Sequence, residues 1–200
     1  SSALVFNFFS CACGAKMPVT ETQIEGLLLV CWDRFDDQRG FFKQSYQTQE
    51  LSNALRRPVR LAQGNHSRSR PGVLRGFHTE PWDKLIYVVR GTALCVVADV
   101  RPNSETFGLH QAFLLGDSPG FHHRIFVSRG LSNAFYCQTE VDYLNDVSRN
   151  FDPVYRNGVA WNDPTLGVDW PNKAPILSSK DASLPKLSEL FPNHSLFLET

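Results

Sequence analysis

The sequence predicts an all-β fold, a sandwich or a barrel, on three observations. Apolar residues gather into short runs about ten residues apart, turn residues fill the gaps, and Phe occurs 15 times in 200 residues. The runs are Gly26–Trp32, Val73–Gly76, Leu85–Val89, Ala93–Val100, His110–Leu115, His123–Val127, Asn133–Gln138 and Val141–Val147. Turn signals separate them: Arg90-Gly91, Arg101-Pro102-Asn103, Gly116-Asp117-Ser118-Pro119-Gly120 and Arg129-Gly130. A helix is expected around Thr48–Arg56. The Pro- and Asn-rich tail after Ala160 is expected to end in a short closing helix over Leu184–Phe191.

Two hundred residues suit one domain of ordinary size. Twenty basic and 20 acidic side chains balance to zero, which gives no long-range pull toward nucleic acid or an anionic membrane. A hydrophobic share of 42% and a charged share of 20% exclude a mostly disordered chain. No stretch approaches the roughly 18 apolar residues of a membrane span. Residues 1–16 read as an upstream extension, native or added, and 17–200 as a single domain beginning at the lone Met17. Ala3–Phe9 is apolar but has no Lys or Arg before it, so the positive start of a signal peptide is missing. A lipoprotein-like signal ending at Cys11 is the alternative. The cysteines (Cys11, Cys13, Cys31, Cys95, Cys137) are scattered and lack C-x-x-C spacing, so they read as reduced thiols of a cytoplasmic protein.

Chemistry concentrates between Glu50 and Glu80. That stretch has no acid but carries Arg56, Arg57, Arg60, Arg68, Arg70 and Arg75, a pattern expected of a solvated cluster or of an anion site. Within it Gln63, Asn65, Ser67 and Ser69 alternate, which places them on one face of a strand. Arg75 lies three residues before His78, so a bulge at Gly76 is needed for both to reach one pocket. Metal-binding cupins carry an H-x-H pair, and here the first position is Gly76. His122 and His123 are adjacent and would point to opposite faces of a strand. A metal is therefore not expected, and His78 is free to act as a proton-transfer base.

Several motifs in order make the chain resemble the dTDP-4-dehydrorhamnose 3,5-epimerases of deoxysugar biosynthesis. They are Asp37-x-Arg39-Gly40-x-Phe42, Gln63-x-Asn65-x-Ser67, Gly72-Val73-Leu74-Arg75-Gly76-x-His78 with Lys84, and Asp99-x-Arg101-x-x-Ser104-x-Thr106-Phe107-Gly108. Trp161-Asn162-Asp163-Pro164, Asp169-Trp170-Pro171 and Leu177-Ser178-x-Lys180-Asp181 follow. The resemblance implies a jelly-roll β-sandwich of the cupin type with short terminal helices, a homodimer, a sugar-nucleotide cavity, and no metal or redox cofactor. It implies that His78 removes a proton beside a 4-keto group, with Asp181 as its dyad partner and Lys84 beside the enolate oxygen. Arg39, Gln63, Asn65 and Arg75 would hold the nucleotide diphosphate and sugar. Phe42, Gln44, Asn133, Asn145 and Lys180 fall at further substrate-binding positions. Read without the resemblance, Asp181 is equally a carboxylate at the start of the closing helix.

Departures from the family pattern cluster in the same cavity. Gln44 replaces a Glu, Asn133 a second His, and Asn145 the Tyr that returns a proton from the opposite face of the ring. Phe151 and Arg156 are further changes. An amide does not donate a proton as a phenol does. Tyr143, two residues earlier and on the same strand face, is a candidate replacement acid. The expectation is a cytoplasmic, metal-independent epimerase of a nucleotide-linked 4-keto-6-deoxyhexose, acting at one carbon or two. The alternatives are a 3,4-ketoisomerase and a sugar-nucleotide-binding cupin without turnover.

Overall fold

Strands that bury alternate residues must close one face on another, and here two antiparallel sheets do so. The computed structural model describes residues 18–118, 120–155 and 157–198, so the expectations for residues 1–16 and for Arg156 lie outside it. The strands are β1 (Val19–Glu21), β2 (Leu27–Val30), β3 (Arg34–Asp37), β4 (Gly40–Lys43), β5 (Gln63–Ser69), β6 (Leu74–Thr79) and β7 (Lys84–Arg90). There follow β8 (Thr92–Asp99), β9 (His110–Gly116), β10 (Arg124–Val127), β11 (Leu131–Cys137), β12 (Val141–Val147) and β13 (Asn157–Gly158). One sheet runs β1-β2-β10-β7-β12-β5 and the other β13-β6-β11-β8-β9, while β3 and β4 form a separate hairpin. This is the jelly-roll sandwich expected from the sequence.

The apolar runs become the central strands. Val141–Val147 is matched residue for residue, and the others shift by one to three residues at their ends. Their inward faces interlock in one cluster: Ile86, Val88, Val141 and Tyr143 from one sheet meet Cys95, Val97, Phe113 and Phe135 from the other. The strands β1, β3, β4, β5 and β13 had no apolar run to announce them. β5 is polar throughout, although its alternation is the one noted for Gln63 to Ser69.

Each sheet also has a covered outer face. The helix α1 (Thr48–Leu55) lies against the first sheet, where Leu51 and Val59 pack on Leu28, Val30, Leu85 and Phe126. The segment after Val159 covers the second, where Leu166, Trp170 and Leu187 pack on Leu74, Phe77, Val96 and Ala134. That segment holds α2 (Ser179–Ala182) and α3 (Leu187–Leu190), where a single helix over Leu184–Phe191 was expected. Pro185 disfavours helical backbone at Leu184 before it, and Lys186 is extended at the N-cap, so the helix begins only at Leu187. Cys95 and Cys137 are free and buried. Cys31 is disulfide-bonded, which corrects the expectation of thiols throughout. Among the described residues no helix is long and apolar enough to cross a membrane.

Candidate active site

Where β5, β6, β7, β11 and β12 come together, the inward faces turn polar around a cavity of about 150 Å³. β5 contributes Asn65 and Ser67, β6 contributes Arg75 and His78, and Lys84, Asn133, Tyr143 and Asn145 come from the other three. Arg75 and His78 both reach it because β6 bulges. Arg75 opposes Phe135 and His78 opposes Asn133, so Gly76 and Phe77 together face the single residue Ala134. Gly76 has φ of +116°, and a Cβ there would lie 2.6 Å from the Asn133 carbonyl oxygen. Glycine is what lets the strand turn His78 inward at this distance.

The tail covering the second sheet delivers Asp181 beneath this bulge. Asp181 Oδ1 lies 2.7 Å from His78 Nε2, and the Gly76 N–H donates to Oδ2 at 3.4 Å. The Ser178 hydroxyl caps α2 by accepting from the Asp181 N–H at 3.1 Å. Asp181 thus sits in the first turn of its own short helix, not ahead of a Leu184–Phe191 helix. Burial works to raise its pKa, but the hydrogen bonds from His78 and Gly76 outweigh it and hold the carboxyl below the ordinary range. A carboxylate on Nε2 fixes the neutral imidazole proton there and leaves the Nδ1 lone pair available.

Lys84 is buried at 2% exposure. Its ammonium donates to the His78 carbonyl oxygen at 3.2 Å and to Asn133 Oδ1, and it is ion-paired with Glu80. Burial pulls its pKa down; Glu80 opposes that and Lys180 adds to it. Asn133 Nδ2 in turn donates to the Tyr143 hydroxyl at 3.4 Å. The Tyr143 ring stacks on Phe135 with centroids 4.0 Å apart, and burial raises its pKa well above 10.0. The buried Asn145 Oδ1 has no hydrogen-bond partner among the described residues.

The remaining candidates do not line the cavity. Gln63 donates to Asn65 Oδ1 at 2.6 Å and accepts from the Phe151 N–H at 2.8 Å, next to the rim. Lys180 adjoins Asp181 and acts on Lys84 through its charge. Arg39, Phe42 and Gln44 belong to the β3–β4 hairpin and its exit. There Arg39 pairs with Asp37, and Phe42 is 73% exposed.

The acid-free arginine stretch is not one anion site. Arg57 is held by Asp83 and Arg68 by Asp142, carboxylates remote in sequence, and only Arg75 reaches the cavity. A larger cavity of about 540 Å³ lies between Glu21–Leu28, the end of α1 and Ser128–Arg129. Arg57 and Arg101 on its wall are already paired with Asp83 and Asp99, and it contains no His to pair with an acid. The smaller cavity is the one that brings the His78–Asp181 pair and a buried lysine together. Among the described residues no group of three or more His, Cys, Asp or Glu is placed to hold a metal ion.

Glu80, His66 and Phe135 line the cavity without having been singled out in the sequence. Glu80 lies two positions beyond His78 and on the same side of the strand line. The alternation that grouped Gln63 to Ser69 also selects it.

A jelly roll with a His–Asp pair and a buried lysine at one end of its interior belongs to the cupin-type isomerases. The family model for dTDP-4-dehydrorhamnose 3,5-epimerase matches residues 21–189, and the chain belongs to that family. It is 34% identical over 180 residues to the dTDP-4-dehydrorhamnose 3,5-epimerase of Escherichia coli, covering 87% of this chain and 96% of that protein. It is also 34% identical to a dTDP-4-dehydrorhamnose 3-epimerase of Streptomyces niveus, over 83% of this chain and 82% of that protein. Among solved structures, the 4-keto-6-deoxy sugar epimerase of the novobiocin gene cluster of Streptomyces spheroides superimposes with a TM-score of 0.84. It is 31% identical and covers 96% of this chain and 94% of that one.

Proposed function

We propose that this protein epimerises a nucleotide-linked 4-keto-6-deoxyhexose by removing a proton alpha to the ketone. The observation that carries the proposal is the joining of the His78–Asp181 pair and Lys84 in one cavity. His78 takes the proton on Nδ1, while Asp181 holds the tautomer and stabilises the imidazolium that forms. The electrons move onto the ketone oxygen, and Lys84 stabilises that enolate, since a fixed cation helps most where charge develops. Tyr143 returns a proton to the carbon. Its phenol is protonated at neutral pH in any case, and burial raises its pKa further. Its hydroxyl already accepts from Asn133, so its own hydrogen is left to point elsewhere.

A cavity of about 150 Å³ suits the sugar ring and leaves the nucleotide outside it. Asn65, Arg75, Gln63, Asn145 and Lys180 in or beside it are assigned to the sugar and the diphosphate. Arg39, Phe42 and Gln44 stand away from it on a hairpin whose Phe35, Phe41 and Phe42 are exposed. A homodimer in which the hairpin of a second copy completes the site accounts for both facts. Sedimentation as a monomer at micromolar concentration would refute that part.

The decisive experiment is incubation with dTDP-4-keto-6-deoxyglucose in deuterium oxide, with C3 and C5 followed by NMR. Exchange with inversion at both carbons fixes a 3,5-epimerase, and exchange at one fixes the carbon. Binding with no exchange at either refutes turnover of this substrate. Tyr143→Phe is expected to leave exchange while suppressing inversion; an unchanged product removes Tyr143 as the acid.

A further inference from the structure

Glu80 has no part in the reaction described above, yet its carboxylate lines the same cavity. It is ion-paired with Lys84, the two side chains being 18% and 3% exposed. Its buried Oε2 takes no hydrogen bond from any other described residue. Among the described residues it is the one carboxylate paired with this ammonium.

The other groups around Lys84 do not substitute for it. The His78 carbonyl and Asn133 Oδ1 accept its hydrogens but carry no charge. From β5 the titratable neighbour is His66, whose Nε2 lies 3.0 Å from Asp142 Oδ1; from β6 they are Arg75 and His78, and from β12 the buried phenol of Tyr143. From α2 come Lys180, which repels the ammonium, and Asp181, which is committed to His78. An ammonium this deeply buried without a counter-ion gives up its proton, and a neutral amine stabilises an enolate far less.

We propose that Glu80 is a positioning residue of the reaction, keeping Lys84 charged and turned toward the cavity. The role rests on the reading of Lys84 as the cation beside the enolate. When the enolate oxygen forms, one Lys84 N–H can leave the neutral Asn133 acceptor for it while the Glu80 contact persists.

The test compares wild type, Glu80→Gln and Glu80→Asp. Two readouts are taken: the pH dependence of kcat for deuterium exchange, and the titration of Lys84 followed by the NMR shift of its 13C-labelled ε carbon. Loss of the carboxylate is expected to move both the alkaline limb of kcat and the Lys84 titration down by about 1–3 pH units. KM should be little changed, and Glu80→Asp should recover most of the shift. A Gln variant that keeps the wild-type alkaline limb, or loses activity equally at every pH, overturns the proposal. If wild type does not turn over the keto sugar, the functional reading fails by itself. The Lys84 titration then decides, and an unmoved titration in Glu80→Gln overturns the pairing role. Thermal unfolding of both variants separates either result from misfolding.

Discussion

Asp99 and Asp181 are both buried carboxylates held by hydrogen bonds, and the contrast between them separates architecture from chemistry. Asp99 is saturated by near neighbours. It accepts from the Arg101 N–H and Nε at 3.0 and 2.8 Å, and from the Ser104 and Thr106 hydroxyls at 2.5 and 2.6 Å. Burial would raise its pKa, but those hydrogen bonds outweigh it and hold it at about 2. Asp181 instead meets a side chain 103 residues away, and that partner lines a cavity. A carboxylate whose acceptor sites are filled locally shapes a turn. One that orients a base from a distance prepares a reaction. Both belong to motifs that carry the resemblance to the epimerases, so membership in such a motif does not by itself mark a catalytic group.

Substitution can break this contrast at either side. The largest effect is expected at His78: His78→Asn should reduce deuterium exchange by about 10²–10⁴-fold with the thermal midpoint unchanged. Persistent exchange would place the base elsewhere. Asp181→Asn should follow, with kcat lower by about 10²-fold and a folded protein, because an amide holds the tautomer less well and does not stabilise the imidazolium. An equal loss of stability would make Asp181 a second Asp99.

Asp99→Asn should leave exchange intact and cost about 2 kcal/mol of stability at neutral pH. The sign follows from a folded pKa of about 2 against the ordinary 3.8. The stabilisation is complete above the unfolded value and is lost as pH falls through 3.8 toward about 2. Wild type and variant should therefore converge in urea-denaturation midpoint over that interval. A gap that stays constant down to pH 2 would show that the carboxylate charge is not the cause. Ser104→Ala removes one of the donors and should cost about 1 kcal/mol, again without effect on exchange.

The same division governs what could be read in advance. The central strands were legible because their faces are apolar, so burial and sequence agree. Arg75 and His78 were legible as a pair only through the bulge that their spacing demanded, and the bulge is there. The arginine stretch misled because its acids, Asp83 and Asp142, arrive from other strands, and local charge counting does not see them. The hairpin was not announced because its pairing, not its hydrophobicity, makes it a pair of strands, and β5 was signalled only by its polar alternation. The Lys84–Asn133–Tyr143 chain joins three strands and exists only after the sandwich has closed. Cys31 shows the same limit, since nothing in its spacing signalled a disulfide.

The covering segment that carries Asp181 has one more consequence. The sandwich interior is sealed by strand pairing and inter-sheet packing, whereas the dyad also needs that segment docked on the second sheet. A molecule with closed sheets and an undocked tail would keep most of its β signal and its cavity walls but have an unassisted histidine. Turnover is therefore a stricter gauge of complete assembly than any measure of strand content. Partial proteolysis after Val159 should silence the protein well before it unfolds it.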